Sequence, residues 1–311
     1  SGKVILKGGC DLRTMSQYLS MENVIEEYTY IGQQRKNNIE HVNHSVNYLS
    51  FPFLDGKSRE CLLLNYPFND EEMFDTSIFG DDVCLLIIST MSEPNLGVYK
   101  RNADGFKFAW GEYRFPLTEE NNWDGYINNT LYTAHNDFDR NWLKWFSENH
   151  SFCGRLTVDE IMENYSHLLK KVNPEMKVCF ILGSEIPFLK NDKLNYEGRD
   201  RDYAELNRRM RLLAEENDRI LLIDVNDYIR GQEDFNDNIN HFKRRVYYEM
   251  ALKVNSYIEN LTGTRLKQKS RFYLFYKSLV DELGYVGFYR SRFWKTIRKP
   301  YVALKNIIKE S

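Results

Sequence analysis

The chain has 311 residues, 42% of them hydrophobic and 28% charged, with five cysteines and a formal net charge of −3. That is ample apolar material for one large core or two, and no run of about 18 apolar residues offers a membrane-spanning helix. The five cysteines form no C-x-x-C pair and the start of the chain does not read as a secretory leader, so the expectation is a reducing, cytosolic compartment with neither a disulfide framework nor a metal site.

In chain order, Lys3–Lys7 reads as a short buried strand that breaks into Gly8-Gly9 and then Cys10, where a helix over about Leu12–Tyr28 begins. Cys10 therefore stands at the carboxyl end of a strand and the start of a helix. There a side chain faces the crevice of an open α/β sheet, and free N–H groups favour a thiolate. The alternative for such a cysteine is a small core hydrophobe. Asn38–Pro52, with His41, His44 and Ser45, reads as a loop returning to the sheet. Cys61–Leu64 and Asp82–Ile88 read as buried strands, the second followed at once by Ser89, Thr90, Ser92 and Glu93. Residues 94–135 show no clear period and predict a long excursion over the crevice, with Glu93 and Asp124 as loop charges. A helix over Asp139–Glu148 follows, and then one opened by the capping box Thr157-Val158-Asp159-Glu160. Lys177–Gly183 is the next strand, Asp200–Asn217 an amphipathic helix and Arg219–Val225 the last strand. After a loop rich in Asp and Asn, His241 is expected in the first turn of a helix that keeps Phe242, Val246, Met250, Val254 and Ile258 on one face. The alternation predicts a doubly wound parallel sheet of about five strands over residues 1–264.

A nucleophile after the first strand and a histidine after the last can meet above the carboxyl edge of such a sheet. Gly8-Gly9-Cys10 resembles the Gly-Asp-Ser block of the SGNH/GDSL hydrolases, with cysteine for serine, and Asn238-Ile239-Asn240-His241 resembles their Asp-x-x-His block, with asparagine for aspartate. Cys10 with Arg13, the His44-Ser45 pair and the run Cys84–Glu93 are similar to the branch of that superfamily found in bacterial capsule and surface-polysaccharide clusters. The resemblance covers roughly residues 3–261 and implies an SGNH-like fold and acyl chemistry. In this reading acetyl-coenzyme A is the co-substrate, a surface glycan or lipid-linked glycan the acceptor, and no metal takes part. It implies Cys10 as nucleophile and His241 as base, with Asn238 orienting the imidazole and Asp237 or Asp234 supplying charge. Gly9, Arg13, Ser45, Ser89 and Asn122 would serve the oxyanion or the substrate. A carbohydrate esterase and a catalytically inactive scaffold or glycan-binding subunit are the rival readings.

Residues 265–311 hold twelve Lys and Arg against three Asp and Glu, whereas residues 1–264 hold thirty against forty-two. Ten aromatic residues interleave those cations, Phe293 and Trp294 among them. That composition predicts a basic helical extension that meets an anionic membrane surface, placing the protein in the cytoplasm or peripherally at the inner membrane. The competing reading packs the aromatics back on the domain. Nucleic acid is disfavoured because no binding module accompanies the charge.

Overall fold

The computed structural model describes residues 2–19, 28–31, 43–66, 74, 76–128, 130–131, 138–189 and 197–285, with backbone alone for residue 10 and for 28–31 and 280–285. The expectations for His41 and for the cations and aromatics of 286–311 lie outside these residues.

Strands β1 (Lys3–Lys7), β2 (Tyr28–Ile31), β3 (Val83–Ser89), β7 (Lys177–Leu182) and β8 (Ile220–Asp224) form a five-stranded sheet in the order β2-β1-β3-β7-β8. All its pairings are parallel. Its strands are apolar almost throughout because each face is covered. Val4, Leu6, Leu85, Ile87, Cys179, Ile181 and Ile223 meet α1 (Cys10–Ser16) and α8 (Arg244–Thr262) on one side. Ile5, Leu86, Ile88, Val178, Phe180, Leu182 and Ile220 meet α2 (Ser45–Ser50), α6 (Val158–Lys171) and α7 (Arg199–Glu216) on the other. That is the alternation a pleated strand imposes. The order reverses between β1 and β3, and in such a sheet the crevice outside the carboxyl ends of those two strands is where ligands sit.

A second sheet, antiparallel and ordered β5-β4-β6, comes from β4 (Leu96–Arg101), β5 (Lys107–Glu112) and β6 (His150–Gly154). With α3 (Gly56–Asn65), α4 (Trp123–Ile127) and α5 (Arg140–Asn149) it encloses an aromatic core of Tyr66, Tyr99, Phe108, Trp110, Tyr126 and Phe146. Finally α9 (Arg271–Tyr285) packs against α8.

Several expectations are corrected. Residues 94–135 are no formless excursion: aromatic and β-branched residues on β4 and β5 pair in register from Leu96↔Glu112 to Lys100↔Lys107. Cys61–Leu64 is helical, because Asp55 caps α3 by accepting from Ser58 N–H at 2.9 Å, and only Leu62 of that helix is buried. Tyr48–Phe51 belongs to α2 and a following 3-10 turn, with His44 as N-cap. The first helix stops at Ser16, and Tyr28 lies in β2. The capping box at Thr157 forms as read, with both of its reciprocal hydrogen bonds.

Candidate active site at the β1–β3 edge

The end of β1 needs a residue without a side chain. A Cβ on Gly8 would stand 2.3 Å from Leu12 Cδ1 and 3.0 Å from Ser89 Cβ, so glycine is what lets the strand turn between β3 and α1. The Gly8 carbonyl accepts from Asn43 Nδ2 at 2.7 Å, tying the turn to the start of α2. Gly9 is the N-cap of α1, and its N–H donates to Asp11 Oδ1 at 3.1 Å. That donor, expected to serve an oxyanion, is thus engaged within the turn. Cys10 is the first helical residue, directly beyond the strand. Its helix is seven residues long, so the dipole near it is that of about two turns.

His241 does not stand inside a helix. It precedes α8, whose N-cap is Lys243, in a tight loop where Asn236 N–H donates to the His241 carbonyl at 2.8 Å and Phe235 bridges Phe242. The loop is pinned by Asp234, which accepts from Arg230 N–H at 2.7 Å and pairs with Arg245 at 2.6 Å. Asp234 is therefore structural, and the carboxylate on the imidazole is Asp237, whose Oδ1 lies 2.7 Å from Nδ1. A carboxylate only accepts, so this contact puts a proton on Nδ1, and the neutral form of that ring keeps its lone pair on Nε2, as a general base requires. The hydrogen bond to His241 holds the Asp237 carboxyl below its ordinary range. Asn238 is buried, with Oδ1 accepting from Asn240 N–H at 2.8 Å; its Nδ2 lies 2.9 Å from Nδ1, and with the Nδ1 proton directed at Asp237 that approach is a close contact and not a second hydrogen bond. It shapes the loop against the ring, while Asp237 supplies the charge.

The two loops meet at the same edge. Helices α1 and α8 pack together, and Arg244 donates to Gln17 Oε1 at 2.9 Å and to the Tyr18 hydroxyl at 3.2 Å; a protonated His241 would favour the ionised form of Asp11, the neighbour of Cys10. Asp11 is buried, and Oδ2 has no partner at hydrogen-bonding geometry. Desolvation raises its pKa, outweighing the Ser89 side chain and the Leu12 and Gly9 N–H groups that favour the ionised form.

Ser89, the last residue of β3, is thus beside Asp11, and its hydroxyl also accepts from Met91 N–H at 3.4 Å. Arg13 lies half-buried in α1. Ser45 is fully buried: its N–H and hydroxyl donate to Glu93 at 2.7 and 2.8 Å, which makes it a structural partner rather than a substrate contact. Asn122 stands apart, on the 3-10 turn before α4, where its amide donates to the Pro116 carbonyl at 3.0 Å; it belongs to the aromatic half of the molecule.

Sequence reasoning missed a second shell of buried polar groups. Glu93 is no loop charge. Fully buried, it accepts from Ser45 and from the Tyr165 hydroxyl at 2.9 Å, and His44 Nε2 lies 3.4 Å from Oε2. Lys7 ends β1 with its amine 5.8 Å from the centre of the Tyr48 ring, and burial lowers that amine to about 7. The Tyr48 hydroxyl is buried without a hydrogen bond, and desolvation together with the charges of Glu93 and Asp11 pushes its pKa well up. A lysine at the end of an otherwise apolar strand was the available signal. Among the described residues no group of three or more His, Cys, Asp and Glu could hold a metal ion. Of the other cysteines, Cys61 and Cys153 are exposed, while burial raises the thiol pKa of Cys84 and Cys179.

No family model matches the chain, and no curated protein matches it. Among solved structures it is similar to the M. smegmatis aryl esterase in an inhibitor-bound and a native form, each at 13% identity over 83% of this chain and 99% of that one, with a TM-score of 0.33. Likeness of that size carries no argument about this chain's fold or activity.

Proposed function

We propose that the chain is an acyl-transfer enzyme that carries the acyl group on Cys10 and moves protons through His241. One observation carries the reading: at the strand-order reversal, α1, which Cys10 opens, packs against α8, and the imidazole of His241 just ahead of α8 is held on Nδ1 by Asp237, which leaves Nε2 of the neutral ring to act as base. In the first step Nε2 takes the thiol proton and the Cys10 sulfur attacks the acyl carbonyl; the C–S or C–O bond of the donor breaks, and the leaving group takes the proton back. In the second step an acceptor hydroxyl gives its proton to Nε2 and attacks the new thioester. Cys10 then leaves and recovers the proton.

In the finer reading the donor is acetyl-coenzyme A and the acceptor a hydroxyl of a bacterial surface glycan or its lipid-linked precursor. Two considerations support it. Gly8-Gly9-Cys10 with Arg13 resembles the polysaccharide branch of the SGNH/GDSL proteins. A cysteine exchanging with a thioester forms another thioester, so the covalent step is nearly balanced and the intermediate stays reactive. The test is incubation with acetyl-coenzyme A followed by intact mass. The expected result is an acetyl adduct that Cys10→Ala abolishes. Turnover of activated esters without an adduct from the thioester would instead make the chain an esterase. Neither adduct nor turnover would leave it a scaffold.

A further inference from the structure

Helix α9 is apolar on two adjoining sides, one buried and one exposed. Its inner side belongs to the domain: Tyr276 is buried, Tyr273 meets Tyr18 edge-on with ring centres 6.0 Å apart, and the Tyr248 hydroxyl donates to the Lys269 carbonyl at 3.0 Å. This part of the basic extension is therefore structural and lies against α8 and Tyr18. Its outer side carries Phe272, Phe275 and Leu279, which are 56%, 63% and 42% exposed. Their spacing of three and four residues sets them in one stripe. Single exposed apolar residues need no explanation, but a contiguous stripe with two phenylalanines marks a contact surface.

The charge around the stripe identifies what it meets. Residues 263–279 contain Arg265, Lys267, Lys269, Arg271 and Lys277 and no Asp or Glu, and the acidic pair Asp281 and Glu282 follows only in the last turn of α9, so the positive charge is concentrated at the start of the helix. Arg265 and Arg271 are exposed, and no ion pair among the described residues engages either. A second copy of the chain, seated by two-fold symmetry, would set these cations against their own equivalents, which opposes pairing. An anionic bilayer offers both an apolar boundary for the rings and negative headgroups for the flanking cations. We infer that the outer face of α9 is a docking surface for an anionic lipid bilayer, with Phe272, Phe275 and Leu279 entering the headgroup boundary and Arg265 and Arg271 meeting the headgroups. The inference goes beyond the acyl-transfer reading and does not depend on Cys10.

The experiment is co-sedimentation of the full chain with vesicles of mixed phosphatidylglycerol and phosphatidylcholine, or of phosphatidylcholine alone. Binding should be clear on the anionic vesicles at low salt, weaker on the neutral ones, and should fall as salt is raised. Phe272→Ser with Phe275→Ser, and separately Arg265→Gln with Arg271→Gln, should each weaken it about tenfold or more without lowering the melting temperature. Indifference of the wild-type chain to anionic vesicles would overturn the inference, as would unchanged binding by both double variants. A serine variant that melts early, or a wild-type chain that dimerises through this face, would show that protein covers it and would overturn the inference as well. The arginine pair keeps the test open because both side chains are exposed.

Discussion

The two sheets of this molecule treat polar groups in opposite ways. Around the antiparallel sheet, aromatic side chains bury their polar atoms in pairs. His150 stacks on Phe146 at 4.0 Å, its Nδ1 lies 2.9 Å from the Phe146 carbonyl and its Nε2 2.6 Å from the Tyr66 hydroxyl, while Trp123 Nε1 donates to the Leu117 carbonyl at 2.8 Å. Around the parallel sheet the core is largely aliphatic and its buried polar groups crowd one edge. There burial lowers the Lys7 amine to about 7, and among the described residues Asp11 Oδ2 and the Tyr48 hydroxyl have no hydrogen-bond partner. Unsatisfied buried groups are costly, and at a ligand-facing edge they are candidates for chemistry, although buried side-chain atoms without a hydrogen bond, such as Ser50 Oγ, also occur away from it. On the acyl-transfer reading, one half of the molecule is a buttress and the other holds the proposed site.

The sharpest way to break that comparison is at the proposed catalytic pair. Cys10→Ala and His241→Ala should each lower transfer by roughly 10³-fold or more, and the double change should cost little beyond either single one. Additive losses would show that the two do not act as a unit. In the buttress, Phe146→Ala removes a fully buried ring that touches Tyr66, Tyr99 and His150. It should destabilise by about 3–5 kcal/mol in urea titration. If the halves are as separate as their cores suggest, the folded fraction should still acylate at Cys10.

Lys7 tests the site half by its pH dependence. Its folded pKa of about 7 lies below a lysine's ordinary 10.5, so below pH 7 both states are protonated and the folded state bears the full cost of the buried charge. Above 7 the folded amine loses its proton before the unfolded one, and stability rises with pH toward 10. Lys7→Met should therefore stabilise the chain by a few kcal/mol at pH 6 and by clearly less at pH 9. A gap between variant and wild type that stays constant across those pH values would rule out the buried amine as the cause.

The smallest expected effect is at the orienting carboxylate. Asp237→Asn removes the negative charge from a half-exposed group on Nδ1, and transfer should fall roughly tenfold, about 1.4 kcal/mol, with the melting temperature unchanged. Asp234→Asn should do the reverse, loosening the loop through Arg245 and lowering stability first. Equal behaviour of the two variants would remove the distinction drawn between them.

Much was legible from residue order alone. Four of the five parallel strands announce themselves because burial on both faces demands apolar runs such as Val83–Ile88, whereas β2 was missed, and Thr157-Val158-Asp159-Glu160 forms its capping box because both halves of that motif are local. The paired glycines before Cys10 marked the turn, since their lack of a Cβ is itself the structural fact. What stayed hidden depended on partners far along the chain. The hairpin of β4 and β5 gains its register from cross-strand aromatic packing, which leaves no period in sequence; Leu62–Leu64 looks like a strand until Asp55 caps a helix ahead of it. Asp234 and Asp237 are equally acidic on paper, and only the fold decides that one grips Arg245 while the other orients His241. Ser45 and Glu93 are 48 positions apart, and nothing near either foretells that they are buried against each other. Sequence by itself determined which segments could be strands and where the chain could turn, because those are properties of neighbouring residues. Tertiary structure alone decided which polar groups are satisfied, because desolvation and hydrogen bonding depend on what the rest of the chain brings to the same place.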